Sequence, residues 1–162
     1  MTKLYTADCT VSGGSREAYF EELIAAARQA LTQRVRKGTL LSSPRTARDY
    51  LTTRLGTRDH EVFTVLFLDN RHRLIDCQEM FRGTIDGASV YPREVVKEAL
   101  QRNAAAVILS HNHPSGVAEP SQADELLTSR LRDALALVDV RVLDHLIVAG
   151  GSVTSLAERG VI

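Results

Sequence analysis

Apolar positions along the chain switch between two periods, and the switches divide it into helices and strands. Phe20, Leu23, Ile24, Ala27, Leu31 and Val35 recur three and four apart, the spacing of one helix face. Ser15 precedes that run as a candidate cap, and Arg34, Arg36, Lys37 and Gly38 close it with cations and a glycine. Its apolar stripe predicts docking on the rest of the domain or on a second copy, which leaves a homodimer open. Ser43-Pro44 opens a second helix, serine as cap and proline in the first turn, running to about Gly56.

From Val62 the helical period gives way to Val62-Phe63-Thr64-Val65-Leu66-Phe67-Leu68. This nearly unbroken apolar, β-branched run predicts a buried strand. Asp69-Asn70-Arg71 turns the chain into a partner strand around Leu74 and Ile75, and a third strand is predicted near 80–85, ending at Asp86-Gly87. Pro92-Arg93-Glu94 opens a helix that continues through Val95, Val96, Ala99 and Leu100, and 104–109 read as a short apolar strand. A further helix is predicted from Ser121 to about Val138. A strand over 140–148, the pair Gly150-Gly151 and a short tail follow it. The predicted class is α/β, a mixed β-sheet flanked by helices, with a leader and helix over 1–40 and the main domain over 41–162.

Composition narrows the function more than the fold. With 162 residues, 44% hydrophobic and 25% charged, the chain suits one globular domain with a sizeable core. Lys+Arg 20 against Asp+Glu 20 gives a formal net charge of zero, so nothing global draws it to nucleic acid or membranes. Contact with nucleic acid would need a local patch, for which Arg34, Arg36 and Lys37 are the candidates. The N-terminus lacks the pattern of a secretory signal, and no apolar stretch is long enough to span a bilayer, so the expected location is cytoplasmic, without a membrane partner. Cys9 and Cys77 do not make a disulfide framework and are expected as free thiols.

Candidate chemistry lies in 110–124, where a strand passes through a Pro/Gly-containing loop into a helix. Side chains two apart in an extended segment point the same way, so His111 and His113 converge while Asn112 faces away. If the loop folds back, Asp124 adds a carboxylate. Two histidines and a carboxylate, with one position left for water, are the protein ligands of a catalytic zinc site. Ser121-x-x-Asp124 is equally a helix capping box, but capping does not account for the paired histidines.

His111-x-His113, seven residues, Ser121, two residues and Asp124 together match the JAMM signature. The surrounding text, PREVVKEAL, AVILSHNHPSG, PSQAD and LDHLIVAG, resembles the RadC-type branch of the JAMM/MPN+ metallopeptidases over about 41–150. The helix-hairpin-helix-type segment of longer RadC proteins is not recognisable, which weakens what the family name implies about DNA. The resemblance implies the JAMM/MPN (cytidine-deaminase-like) fold and Zn2+ held by His111, His113 and Asp124. It further implies Glu61 as the residue that holds the attacking water and shuttles its proton, and Ser121 as a stabiliser of the oxyanion. Glu79 and Glu94 compete with Glu61 for that role. The implied activity is zinc-dependent hydrolysis of an amide or isopeptide bond in a protein or peptide substrate. A DNA-repair or mobile-element accessory protein acting on nucleic acid is the first alternative, and a non-catalytic MPN scaffold the second. His60 and His72 read as surface residues, whereas His145, within LDHLIV, is either a partner behind a metal ligand or a packed sheet residue.

Overall fold

Two strands too apolar to face water on either side determine the layering. All seven positions of β1 (Val62–Leu68) and all seven of β3 (Ala106–Asn112) are buried, so helices must cover both faces of the sheet at its centre. The computed structural model describes residues 16–34, 38, 41, 43–83 and 89–162, without the side chains of 16–17 and 28–34. Five strands run in the order β2-β1-β3-β4-β5, with β2 Leu74–Arg82, β4 Arg141–Ala149 and β5 Ser152–Ser155. β3 and β4 are parallel and the other neighbours antiparallel, which bears out the mixed sheet.

Strand alternation sorts the side chains into two cores. Leu66, Leu68, Ile108, Leu146 and Val148 pack with Leu51 and Leu55 of α2 (Pro44–Leu55) on one face. Phe63, Val65, Phe67, Val107 and Leu109 pack on the other, against Val95 and Ala99 of α3 (Pro92–Gln101) and Leu131 and Leu135 of α4 (Gln122–Ala136). Ser43 caps α2 by accepting from the Thr46 N–H. The far end of α2 abuts the β4–β5 turn so closely that a Cβ at Gly56 would lie 2.5 Å from the Gly150 carbonyl oxygen. Only glycine fits there.

Two elements differ from the sequence expectation. The third strand predicted near 80–85 is not separate: Met80, Phe81 and Arg82 are the end of β2. β1 offers partners along the whole length, from Leu68 opposite Leu74 to Val62 opposite Arg82, so pairing carries the chain through with no turn. Ile85, Asp86 and Gly87 lie outside the described residues. The tail after the glycine pair contains β5, a four-residue strand reached through Gly150 at φ +56 and too short to give a hydrophobic period.

α1 (Arg16–Arg34) has α2 as its neighbour. Of its predicted apolar stripe, Phe20 and Leu23 are exposed and Ile24 half-buried, while Leu31, Val35 and the Arg34/Arg36/Lys37 cluster fall outside the described side chains. Among the described residues, no helix is long and apolar enough to cross a membrane.

Candidate metal centre

β3 continues past its predicted end at Leu109, so that Ser110, His111 and Asn112 are strand residues. Alternation then aims His111 and His113 toward α4, and Asn112 to the opposite face. The loop folds back and delivers the first turn of α4, with Asp124 facing both imidazoles. His111 Nε2 lies 2.9 Å from His113 Nε2 and 3.1 Å from Asp124 Oδ1, and His113 Nε2 lies 3.5 Å from Asp124 Oδ2. The three residues could hold a metal ion, their ligand atoms all lying within 4.8 Å of one another.

Neighbouring hydrogen bonds show what these atoms offer. His113 Nδ1 is 2.8 Å from the Val117 carbonyl oxygen, which can only accept, so Nδ1 carries a proton and a neutral His113 presents a lone pair at Nε2. Two imidazole nitrogens this close, beside a carboxylate, must share either a proton or a metal ion. A hydrogen bond to Asp124 is the main influence raising the pKa of His113; burial opposes it, and the Val117 carbonyl and the charges of Asp124 and Glu61 add to it. Burial pushes the Asp124 carboxyl up, but hydrogen bonds to His111, His113 and Ser121 outweigh it and hold the group far below the usual carboxylate range. The cluster therefore favours positive charge at its centre, and two nitrogens with one carboxylate are a zinc-type donor set.

Ligand geometry and capping coexist at Asp124. Ser121 is the N-cap of α4, and its hydroxyl accepts from the Asp124 N–H at 3.2 Å. In return, Asp124 Oδ2 accepts from the Ser121 hydroxyl and the Ser121 N–H, each at 2.7 Å. Oδ2 completes the capping box while Oδ1 turns to His111. The hydroxyl proton of Ser121 is thus committed to Asp124.

Glu61 immediately precedes β1. β1 and β3 pair antiparallel as far as Phe63 opposite His111, and Glu61 lies two residues before Phe63, at the same end of the sheet as His113. Its charge is the smallest of the influences that raise the pKa of His113. Its competitors are engaged elsewhere: Glu79 pairs with Arg58 at 2.7 Å and Arg54 at 3.4 Å, and Glu94 with Lys97 at 3.5 Å. Asn112, turned away from the histidines, fastens the Glu61 segment to β3. Its Oδ1 accepts from the Val62 N–H at 2.8 Å, and its Nδ2 donates to the His60 carbonyl at 2.9 Å, so the two bonds bracket Glu61.

His145 is fully buried beneath the cluster, its Nε2 2.9 Å from His111 Nδ1 and its Nδ1 2.6 Å from Thr128 Oγ1. Burial, and next the charge of His111, hold its pKa well below the ordinary imidazole value. Of the two readings open for His145, hydrogen bonding behind His111 joins simple packing. Thr128 and Asn112 were not singled out from sequence. Thr128 had a usable signal, since it follows Asp124 by one helical turn; Asn112 had none, because its partners are backbone groups about fifty residues away. His60 meets Asp59, and His72 sits in the β1–β2 turn at φ +57, both apart from the cluster.

Comparison with known proteins identifies relatives of the chain. A family model described as a RadC-like JAB domain matches residues 41–161. A UPF0758 protein of Marinobacter nauticus is 60% identical over 149 residues, 92% of this chain and 66% of its own length. Similar proteins from Methylibium petroleiphilum and Stutzerimonas stutzeri are each 57% identical, over 93% and 91% of the chain and 68% and 66% of their own lengths. The chain spans about two thirds of the length of these curated relatives.

Proposed function

The chain belongs to the RadC-like JAB domain family, and from that premise we propose that it is a zinc-dependent hydrolase. Specifically, we read it as a metallopeptidase that cleaves an amide or isopeptide bond in a protein or peptide. The observation that carries this reading is the convergence of His111 Nε2, His113 Nε2 and the Asp124 carboxylate on one point. These three residues would hold the metal, and zinc bound there would polarise the substrate carbonyl and activate a water molecule.

The remaining work falls to the chain's own groups. Glu61, at the start of β1, would accept a proton from the attacking water on its carboxylate and return it to the leaving amine nitrogen. Ser121 orients Asp124 through its hydroxyl and its backbone N–H. Stabilising an oxyanion with the same hydroxyl, as the family resemblance implies, requires its bond to Asp124 to break during the reaction. The DNA-accessory alternative would rest on Arg34, Arg36 and Lys37, whose side chains are outside the described residues. Arg54, Arg58, Arg102 and Arg159 are each paired with a carboxylate.

The test is metal analysis joined to a cleavage screen. Wild-type protein should carry one zinc per chain and release products from a library of peptides and isopeptide-linked conjugates. Glu61→Gln should keep the zinc and lose about 10²–10⁴-fold in rate, the range general acid–base catalysis supplies. Protein without stoichiometric metal, or a Glu61→Gln variant as fast as wild type, would overturn the assignment.

A further inference from the structure

A chain of three hydrogen bonds runs behind His111, and its direction is fixed at one end. Thr128 Oγ1 lies 2.6 Å from the Asp124 carbonyl oxygen. A carbonyl cannot donate, so the single hydroxyl proton of Thr128 points there. Thr128 Oγ1 is also 2.6 Å from His145 Nδ1, and with its own proton committed the oxygen must accept, so Nδ1 of His145 carries a proton. His145 is 0% exposed and its ring touches no carboxylate among the described residues, so a second proton on that ring would bury an unpaired charge. Its Nε2 is then bare, 2.9 Å from His111 Nδ1, and that contact requires the proton on His111 Nδ1. In neutral His111 the lone pair is left on Nε2, the atom that faces His113 and Asp124.

We propose that Thr128 and His145 are positioning residues that lock His111 in the tautomer whose Nε2 can bind a metal. This rests on reading the cluster as a metal site, but the tautomer can be tested separately. Which ring nitrogen of a histidine carries the proton is set by the bond its other nitrogen makes, and here that bond is buried and directional. The rings have little room to turn over, since Phe63 stacks on His111 at 6.3 Å and meets His145 edge-on at 5.6 Å. The chain begins on the backbone carbonyl of Asp124, whose carboxylate enters the same cluster. One turn of α4 therefore delivers a ligand and, through Thr128, the orientation of the ligand opposite it. Without the Thr128 hydroxyl the Asp124 carboxylate, 3.1 Å from His111 Nε2, would draw the proton to that nitrogen instead.

Nitrogen-15 NMR of metal-free wild-type protein, at a pH where both rings are neutral, reads the tautomers without any substrate. The expected result is a protonated Nδ1 on both His111 and His145; a protonated Nε2 on His111 would overturn the proposal. Zinc affinity by chelator competition supplies the second readout. Thr128→Val, nearly the same shape without the hydroxyl, should weaken zinc binding about 10–100-fold, and Thr128→Ser should restore it. Unchanged affinity and unchanged imidazole shifts in Thr128→Val would also overturn the proposal. If wild type binds no zinc while the tautomers are as assigned, the metal reading fails and the hydrogen-bond chain stands, so the two failures are distinguishable.

Discussion

The two histidines of the cluster are held by different kinds of structure. His111 belongs to the sheet: it is 1% exposed, paired in register with Phe63 and backed by His145 and Thr128 from two further elements. His113, just beyond the strand, belongs to the loop, with its side chain 19% exposed and its Nδ1 tied to the Val117 carbonyl four residues on. The first is aimed by tertiary packing, the second by a local turn. Damage to the sheet side should reach stability as well as metal binding, whereas damage to the loop side should reach metal binding alone.

The sharpest test of that contrast removes each ligand in turn. His111→Ala and His113→Ala should both abolish stoichiometric zinc, the largest effect expected here. Only His111→Ala should also destabilise the metal-free protein, because it leaves His145 Nε2 buried without a partner. An unsatisfied buried group costs about 1–3 kcal/mol, and the cavity adds to that. Metal analysis and metal-free thermal unfolding of the two variants decide the matter, and equal melting temperatures would remove the distinction between the sides.

Asp124 lies between the two regions, and its substitution should have an intermediate effect. Asp124→Asn can keep an oxygen in the capping box with Ser121, but it removes the negative charge that the cluster supplies to a divalent cation. Zinc affinity should fall by at least about a hundredfold, since loss of a group that merely supports a ligand already costs about 10–100-fold. Metal-free unfolding should shift by less than about 1 kcal/mol, the typical worth of a cap. Unchanged zinc affinity would show that Asp124 serves the helix and not the metal.

The same contrast explains what could be read from the sequence. β1, α2, α3 and α4 were legible because each carries its own period and its own start signal, such as Ser43-Pro44 before α2 or Ser121 before α4. The histidine pair was legible because alternation within one strand needs no knowledge of the rest of the fold. What depended on register was not. The continuity of β2 through Arg82 depends on how far β1 pairs with it. Sequence reasoning reached Glu61 only by family resemblance, because its position at the start of β1 relates to the histidines only once β1 pairs with β3. The Asn112 bonds and the Thr128–His145–His111 chain join segments brought together only by folding, so no local pattern announces them.

The smallest expected effect belongs to the loop and tests whether its geometry is prepared in advance. Gly116 adopts φ +81 between His113 and Val117, and its N–H donates to the His113 carbonyl at 3.1 Å. A Cβ there would meet nothing within 4 Å, so Gly116→Ala adds backbone strain without a clash. A left-handed conformation costs an L-residue about 1–2 kcal/mol. In the metal-free protein the exposed loop can relax and shed that strain, leaving the melting temperature close to wild type. Metal binding would then have to restore the turn, since the Val117 carbonyl sets the proton on His113 Nδ1. The full cost should appear as zinc affinity lowered about 5- to 30-fold, at 1.4 kcal/mol per factor of ten. A matching loss of metal-free stability would mean that the loop is as firmly held as the strand. Unchanged affinity and unchanged stability together would mean that His113 does not depend on the turn at all.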